Sequence, residues 1–471
     1  MNIMGFEGVV RILSFELKKK RDAHSLCTFS AIIRENEEAK YYALTGKMLC
    51  VQQDNGVPIF FGNIQEIGIE KTYHSCTLHI AAVSQSILID QEQKTRIFQN
   101  PAKTYGDILS SARLSLKRCD LRLSEEVKKQ PYALIALQNQ ETNFSFIRRM
   151  ANLAENHVWV IDTIAEHPMV KVSSCLHPAE NILSEEDILS YRLTYTTVGK
   201  RVSIRLKKYI ELGRVVKLGQ HREMYLIIAL EVHHLKGQDE FTYELEEFSL
   251  TRAGQSAPDK LAGNAAFPPL ERPLRFKAKV INVADPQKTG QIQVHFIDRF
   301  LEDMDKELPC WIQFRSPYSG KGGGIVFLPD IGDIVEVVFM NGQCFSCTAL
   351  RDAQLLQECS NVKEKYIGNN TKQRIFWHEN SIEIRSVENQ LLLDGEKLEL
   401  CVGKNKIIMD KNQVVLSVGS QRIQMDDKQI LLQGKGGQLL LSDKVYLEGH
   451  GDIRIKGSGT ISVNGSSVNL C

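Results

Sequence analysis

SIEIRSVENQLLLDGE (381–396), KLELCVGKNKIIMDKN (397–412), QVVLSVGSQRIQMDDK (413–428) and QILLQGKGGQLLLSDK (429–444) are four consecutive blocks of sixteen residues. Positions two and four of each block are Ile382/Ile384, Leu398/Leu400, Val414/Leu416 and Ile430/Leu432. Positions eleven and thirteen are Leu391/Leu393, Ile407/Met409, Ile423/Met425 and Leu439/Leu441. All sixteen sites are apolar in a chain that is 43% apolar. With the register fixed, chance gives this on the order of once in a million. Two apolar residues at spacing two are the inward face of a short strand. Each block therefore holds two strands, joined by polar links such as Asp394-Gly395-Glu396 and Gly403-Lys404-Asn405.

The register slips after Leu441, and the pattern goes on through Val445/Leu447, Ile453/Ile455, Ile461/Val463 and Val468/Leu470. No proline follows Pro329, so no strand donor is missing. Strands with so few inward residues cannot bury them alone, and a regular period points to a rod. If a single chain leaves its strand edges unpaired, three chains wound about one axis close both edges and core. The expectation is an intertwined trimeric β-helix needle over 381–471. An ordinary antiparallel meander domain is the competing architecture.

Composition limits the rest. The chain has 471 residues, enough for about three domains. Its net charge is +1, and residues 381–471 balance eleven basic against eleven acidic side chains, so no nucleic-acid footprint is present. No signal peptide or membrane-spanning apolar run is read from the sequence. Eleven scattered cysteines, an odd number, read as reduced thiols.

Working back from the needle, residues 1–100 read as a β-domain with strands at Gly8–Val10, Thr28–Ile33, Ile59–Gly62 and Thr77–Ile80. Residues 101–165 form an α/β insertion with helices over Pro101–Leu114 and Asn143–Asn156, the second capped by Asn143, and a strand from Val158. Residues 166–255 are β-rich again, 256–273 are a linker, and 352–380 are a connector with a short helix at Asp352–Tyr366. Residues 274–351 hold five or six strands around the glycine-rich Gly320–Gly324, which suggests a small closed barrel of the OB type.

Two further stretches carry a resemblance. Glu141–Ile161, ETNFSFIRRMANLAENHVWVI, resembles the hallmark segment of VgrG and phage baseplate hub proteins, with Asn143 where that family usually has Asp. Leu308–Leu328, LPCWIQFRSPYSGKGGGIVFL, running on into Pro329–Val337, resembles the same family's barrel segment, and the C-terminal repeat is similar to its needle. The resemblance implies a mainly β protein with two tube-like β-barrel domains, a small α/β insertion, an OB-type barrel and the needle. It also implies a homotrimeric, non-enzymatic hub and membrane-piercing spike of a contractile injection system. Such a particle assembles in the bacterial cytoplasm and is delivered to or through a target membrane. Expected partners are an inner-tube ring above, baseplate components around the hub, and a PAAR-type tip protein against Val468, Asn469, Leu470 and Cys471. Effector cargo is a further possibility.

Candidate chemistry is sparse. The thirty residues between Leu350 and Ser381 are too few for a lysozyme domain, and no acid pair for glycoside hydrolysis is nominated there. Cys344-Phe345-Ser346-Cys347 lacks a second pair for zinc. His233-His234 reads as a solvated pair, and His450 lies in a turn without a second histidine of a His-x-His motif. Gly320–Gly324 lacks the phosphate-loop form. Lys18–Arg21, KKKR, reads as an exposed turn or edge. No catalytic residue, metal site or cofactor is expected. The alternative is a trimeric tailspike enzyme degrading surface glycans, which needs paired carboxylates beside aromatic platforms.

Overall fold

The computed structural model describes every residue except 7, 35–36, 74, 115–118, 133–134, 165–166, 197–198, 219–222, 236–237, 249–272, 307–308, 321–322, 341–342, 351–363, 370, 443–449, 453, 455, 461, 463–465 and 468–471. All of the 256–273 linker but Pro273, most of the helical connector, and the candidate residues Val445, Leu447, Ile453, Ile455, Ile461, Val463, Val468, Asn469, Leu470 and Cys471 therefore lie outside the described residues. The chain divides into two compact units, Met1–Leu350 and Arg351–Cys471.

The first unit begins with β1 (Asn2–Met4), β2 (Val9–Lys20), β3 (Leu26–Ile33), the short helix α1 (Glu38–Tyr42), β4 (Met48–Gln52), β5 (Pro58–Lys71) and β6 (Cys76–Ser84). The α/β insertion follows, with β7 (Gln93–Phe98), α2 (Tyr105–Leu114), β8 (Asp120–Leu123), α3 (Glu125–Lys129), β9 (Ala136–Thr142), α4 (Asn143–Leu153), β10 (His157–Val160) and β11 (Met169–Ser173). The second β-domain holds β12 (His177–Leu183), β13 (Ile188–Thr196), β14 (Gly199–Leu206), β15 (Arg214–Leu218), β16 (Met224–Leu235) and β17 (Gln238–Phe248). The two β-domains share one sheet, because β2 pairs antiparallel with β16. Their buried side chains also form one core.

Three local expectations are corrected. Helix α2 starts at Tyr105 rather than Pro101, because Thr104 and Asp107 cap its first turn reciprocally. Helix α4 is capped by Thr142, whose Oγ1 accepts from Ser145 N at 3.2 Å, and Asn143 is its buried first residue. The KKKR run is no exposed edge: it ends β2, an interior strand between β3 and β16. There the alternation of side chains turns Lys19 inward, 4% exposed, between the outer Lys18 and Lys20.

The OB-type barrel comprises β18 (Leu274–Asn282), β19 (Gln291–Phe296), β20 (Glu302–Asp303), β21 (Trp311–Gln313), β22 (Ser319–Gly320), β23 (Gly323–Gly324), β24 (Ile334–Met340) and β25 (Gln343–Ala349). Its sheet runs β21-β19-β18-β24-β25, and a bridge from Phe314 to Cys347 joins the ends. The glycine-rich stretch makes the β22–β23 hairpin. This barrel is locked onto the insertion. Strand β20 pairs parallel with β7, and Ile97, Ile135 and Leu137 of the insertion enter the barrel core. A polar seam seals the joint: Gln99 Nε2 donates to Asp303 at 2.8 Å, and Asp305 accepts from Gln99 N and Asn100 N at 3.0 and 3.2 Å.

Among its described residues the second unit is one ten-stranded antiparallel sheet. Its strands are β26 (Lys365–Gly368), β27 (Gln373–Trp377), β28 (Ser381–Ser386), β29 (Asn389–Asp394), β30 (Lys397–Val402), β31 (Asn405–Asp410), β32 (Gln413–Val418), β33 (Gln421–Asp426), β34 (Gln429–Gln433) and β35 (Gln438–Ser442). Each strand pairs with its neighbours in sequence, as the competing meander reading described. The premise that one chain leaves its strand edges unpaired is thereby corrected. Between the described strands backbone hydrogen bonding is met within the chain, and what stays unmet is the face of the sheet. Strands also occupy part of the expected connector, from Lys365 onward.

Two turn types alternate along this sheet. On one side Asp394, Asp410 and Asp426, sixteen residues apart, accept from the backbone N–H groups two and three residues on, at 2.7–2.9 Å. On the other side Val387, Gly403 and Gly419, again sixteen apart, have φ of 52°, 57° and 57°. Glycine takes this conformation freely, whereas a β-branched side chain pays about 1–2 kcal/mol. Val387 is 74% exposed and gives little packing in return. Val387→Gly is expected to stabilise this unit by roughly 0.5–1 kcal/mol net of chain entropy, read as a higher urea midpoint.

Candidate functional site

The strand register gathers the sixteen repeat positions into two rows on one face. One row runs Ile382, Leu393, Leu398, Met409, Val414, Met425, Ile430, Leu441. The other runs Ile384, Leu391, Leu400, Ile407, Leu416, Ile423, Leu432, Leu439. Among the described residues nothing covers these rows. Ten of the sixteen are more than a third exposed, from Leu398 at 36% to Met409 at 50%, and none is buried. Folded sheets do not leave aliphatic ladders of this length in water without a partner.

The stripe is longer than the sequence reading made it. Trp377 stands opposite Ile382, and Ile375 opposite Ile384, so both rows continue into β27. Ile367 opposite Ile375 extends one of them into β26. The signal was available, since Ile375 and Trp377 are positions eleven and thirteen of the preceding block. Tyr366 and Gly368 at positions two and four hid it, because β26 is offset by one residue and presents Ile367 instead.

The opposite face has a different chemistry. Its central row is Tyr366, Phe376, Glu383, Leu392, Glu399, Ile408, Val415, Gln424, Leu431 and Leu440. Glu383, 5% exposed, accepts from Arg385 Nε and Gln390 Nε2 at 2.6 and 2.7 Å, with His378 Nε2 at 3.2 Å. Glu399 accepts from Lys397, Lys406 and the Cys401 thiol at 2.6, 2.8 and 3.3 Å. The Lys397 and Lys406 hydrogen bonds, with the thiol third, hold its carboxyl down at about 2.

Glu383 and Glu399 stand two strand spacings apart, about 9.6 Å along the backbone, at the upper limit of the separation an inverting glycosidase needs. Glu399, held below the ordinary glutamate range, could serve such a pair only as its base. Its depressed pKa fixes a sign for stability. The contribution of Glu399 is full above the ordinary glutamate value of about 4.3 and is lost as pH falls through about 2. In an acid titration followed by circular dichroism, Glu399→Gln is expected to flatten the transition between those values. An unchanged profile would show that the carboxylate adds nothing.

Elsewhere, Ser86, His24 and Asp90 form a serine–histidine–aspartate sequence, with His24 Nδ1 2.7 Å from Ser86 Oγ and Nε2 3.1 Å from Asp90 Oδ2. Ser86 is 1% exposed, so this hydroxyl is sealed from any substrate. The Cys347 thiol faces the Gln313 carbonyl at 3.5 Å, and burial pushes it up to about 12, far from a reactive thiolate. The side chain of Cys344 lies outside the described residues. His233 and His234 are half-buried with carboxylate partners, His234 Nδ1 lying 2.6 Å from Asp239 Oδ1, rather than freely solvated. Among the described residues, which include His450, no three His, Cys, Asp or Glu side chains gather as metal ligands do. None of the described helices is long and apolar enough to cross a membrane.

Residues 276–350 match the family model of the type VI secretion system/phage-baseplate injector OB domain. No curated protein sequence matches the chain. Among solved structures, the chain is similar to the Escherichia coli c3393 protein, described as a type VI secretion component that resembles the T4 bacteriophage tail proteins gp27 and gp5. The TM-score is 0.53 at 12% identity, over 74% of this chain and 98% of that one. It is also similar to the lidless PdpA–VgrG complex, with a TM-score of 0.52 at 9% identity over 92% and 94% of the two chains. The half-lidded Francisella form of that complex gives 0.50 at 9% over 92% and 84%. Residues 276–350 thus carry the OB domain of the type VI secretion system/phage-baseplate injectors, and the fold of the chain is similar to that of the VgrG and tail hub–spike structures of contractile injection systems.

Proposed function

We propose that three copies of this chain form the hub and membrane-piercing spike of such a particle, joining the inner tube to the needle tip. The observation that carries this is the uncovered pair of rows from Ile382 to Leu441. A sheet whose interior strands are paired on both edges but whose aliphatic face is wet needs copies of itself around a common axis. Burying half-exposed aliphatic side chains contributes about 25 cal/mol per Å² of apolar area, and sixteen such sites per chain supply the drive. The two β-domains would face the tube, and a PAAR-type tip would cap the far end. The mechanism is mechanical. A rod of continuously paired strands has no weakly held unit to open under load. Baseplate proteins around the hub and cargo near the tip complete the reading, with assembly in the bacterial cytoplasm.

The test is the native mass of the purified chain, expected at three times 53.3 kDa, with negative-stain images showing a wide head and a thin shaft. A monodisperse monomer would sink the proposal. Release of reducing sugar from bacterial envelopes would favour the tailspike enzyme instead.

A further inference from the structure

Asp22, Asp90 and Thr142 come from three separate segments, yet they meet at the turn between β2 and β3. Asp22 takes Val158 N at 2.7 Å and His157 Nδ1 at 2.9 Å, which ties one end of the turn to the insertion. Two residues on, the His24 ring lies 4.0 Å from the Phe144 ring of α4 and reaches Ser86 and Asp90. Asp90 also accepts from the Thr142 hydroxyl that caps α4. Behind Ser86, the Ser84 hydroxyl lies 2.8 Å away, and Ser84 Oγ accepts from Ser25 N at 3.0 Å. Both serines are at most 1% exposed.

The protons of this chain can be placed one by one. A carboxylate only accepts, so His24 carries its proton on Nε2 and gives it to Asp90. The bare Nδ1 then accepts from Ser86, Ser86 accepts from Ser84, and Ser84 accepts from the Ser25 backbone. Every buried donor has an acceptor as long as the ring is neutral. A second proton on Nδ1 would point at Ser86 and force its hydroxyl back toward Ser84. That would leave the Ser84 hydroxyl without its acceptor in a sealed site.

We propose that this hydroxyl–imidazole chain makes the joint between the first β-domain and the α/β insertion an acid-released latch, closed while His24 is neutral. Burial is the leading influence on the ring and pushes its pKa below the ordinary value. Of the charged groups around it, Asp90 opposes that push and Arg148 of α4 reinforces it, while Asp22 and His157 sit at the other end of the turn. The sign follows. A histidine depressed in the folded state gives its full contribution above the ordinary value of about 6.5 and loses it as pH falls. The latch rests on the fold and is independent of the proposed spike function.

Hydrogen–deuterium exchange of the full chain at about pH 7.5 and about pH 5.5, corrected for intrinsic rates, tests it. Peptides covering 21–26, 84–90 and 142–148 are expected to lose about tenfold protection at the lower pH, while strand β24 of the OB barrel does not. His24→Gln should remove that acid-specific loss. Equal protection of the wild type at both pH values, or the same loss in His24→Gln, overturns the latch. Should the variant not fold, exchange of the His24 ring C–H in the wild type reads the titration directly. A midpoint at or above the ordinary histidine value also overturns it.

Discussion

Leu416→Asp is expected to abolish the proposed trimer while leaving the single chain folded. Leu416 sits mid-row between Ile407 and Ile423 and is 37% exposed in the isolated chain, so a carboxylate there meets water and costs the monomer little. Around a shared axis, three such charges would be taken out of water beside one another. Each unpaired buried carboxylate costs about 3–5 kcal/mol, so an assembly would lose on the order of 10 kcal/mol, about seven powers of ten in its association constant. Native mass spectrometry should find monomers whose circular dichroism still reports the sheet. A trimer surviving this change would mean that the two rows are covered by something other than copies of themselves.

Asp162→Asn is expected to destabilise the first unit by about 3–5 kcal/mol, the largest single-site stability effect foreseen. Lys19 donates to Asp162 Oδ1 and to the Ile59 carbonyl, the latter at 2.6 Å, and both charged side chains are 3% exposed. Burial alone would drive the Lys19 pKa down. The charge and hydrogen bond of Asp162, with Tyr209 and Glu211 adding to them, together outweigh it and raise the value, so the ammonium stays charged at neutral pH. Removing the carboxylate strands an ammonium inside the core that unites the two β-domains. The double change Lys19→Met/Asp162→Leu is expected to recover most of the loss, because a buried ion pair is often no better than apolar residues of similar size. Thermal unfolding of the single and double variants measures both. A single-variant midpoint within a degree of wild type would refute the argument.

How much of this was legible beforehand depended on whether an interaction is local. The alternation that sets the repeat positions on one face of their strands follows from period and spacing, which the backbone enforces within eight residues. The OB barrel was readable from Trp311, the glycine-rich hairpin and the Ile334–Met340 strand. Lys19 was not. Its side chain is buried by a partner 143 positions away, and a run of basic residues otherwise looks like a wet edge. The His24 chain joins Ser86, Asp90 and Thr142 across as many as 118 positions of sequence, and no spacing rule signals it. The meander itself was misjudged for a physical reason: hairpin pairing satisfies the backbone before any second chain arrives. The spike reading then rests on side chains alone.

The alternation of turns at the sheet margins carries a further consequence. From Val387 to Asp426 the aspartate-held reversals fall at one margin and the left-handed ones at the other, so within that stretch a single strand and its reversal cannot be excised without bringing the wrong chemistry to each side. Two steps removed together restore the match. The length of this sheet should therefore change only in quanta of sixteen residues, each about 9.6 Å of rise, so that evolution or an engineer can lengthen it as a ruler is lengthened, by whole graduations.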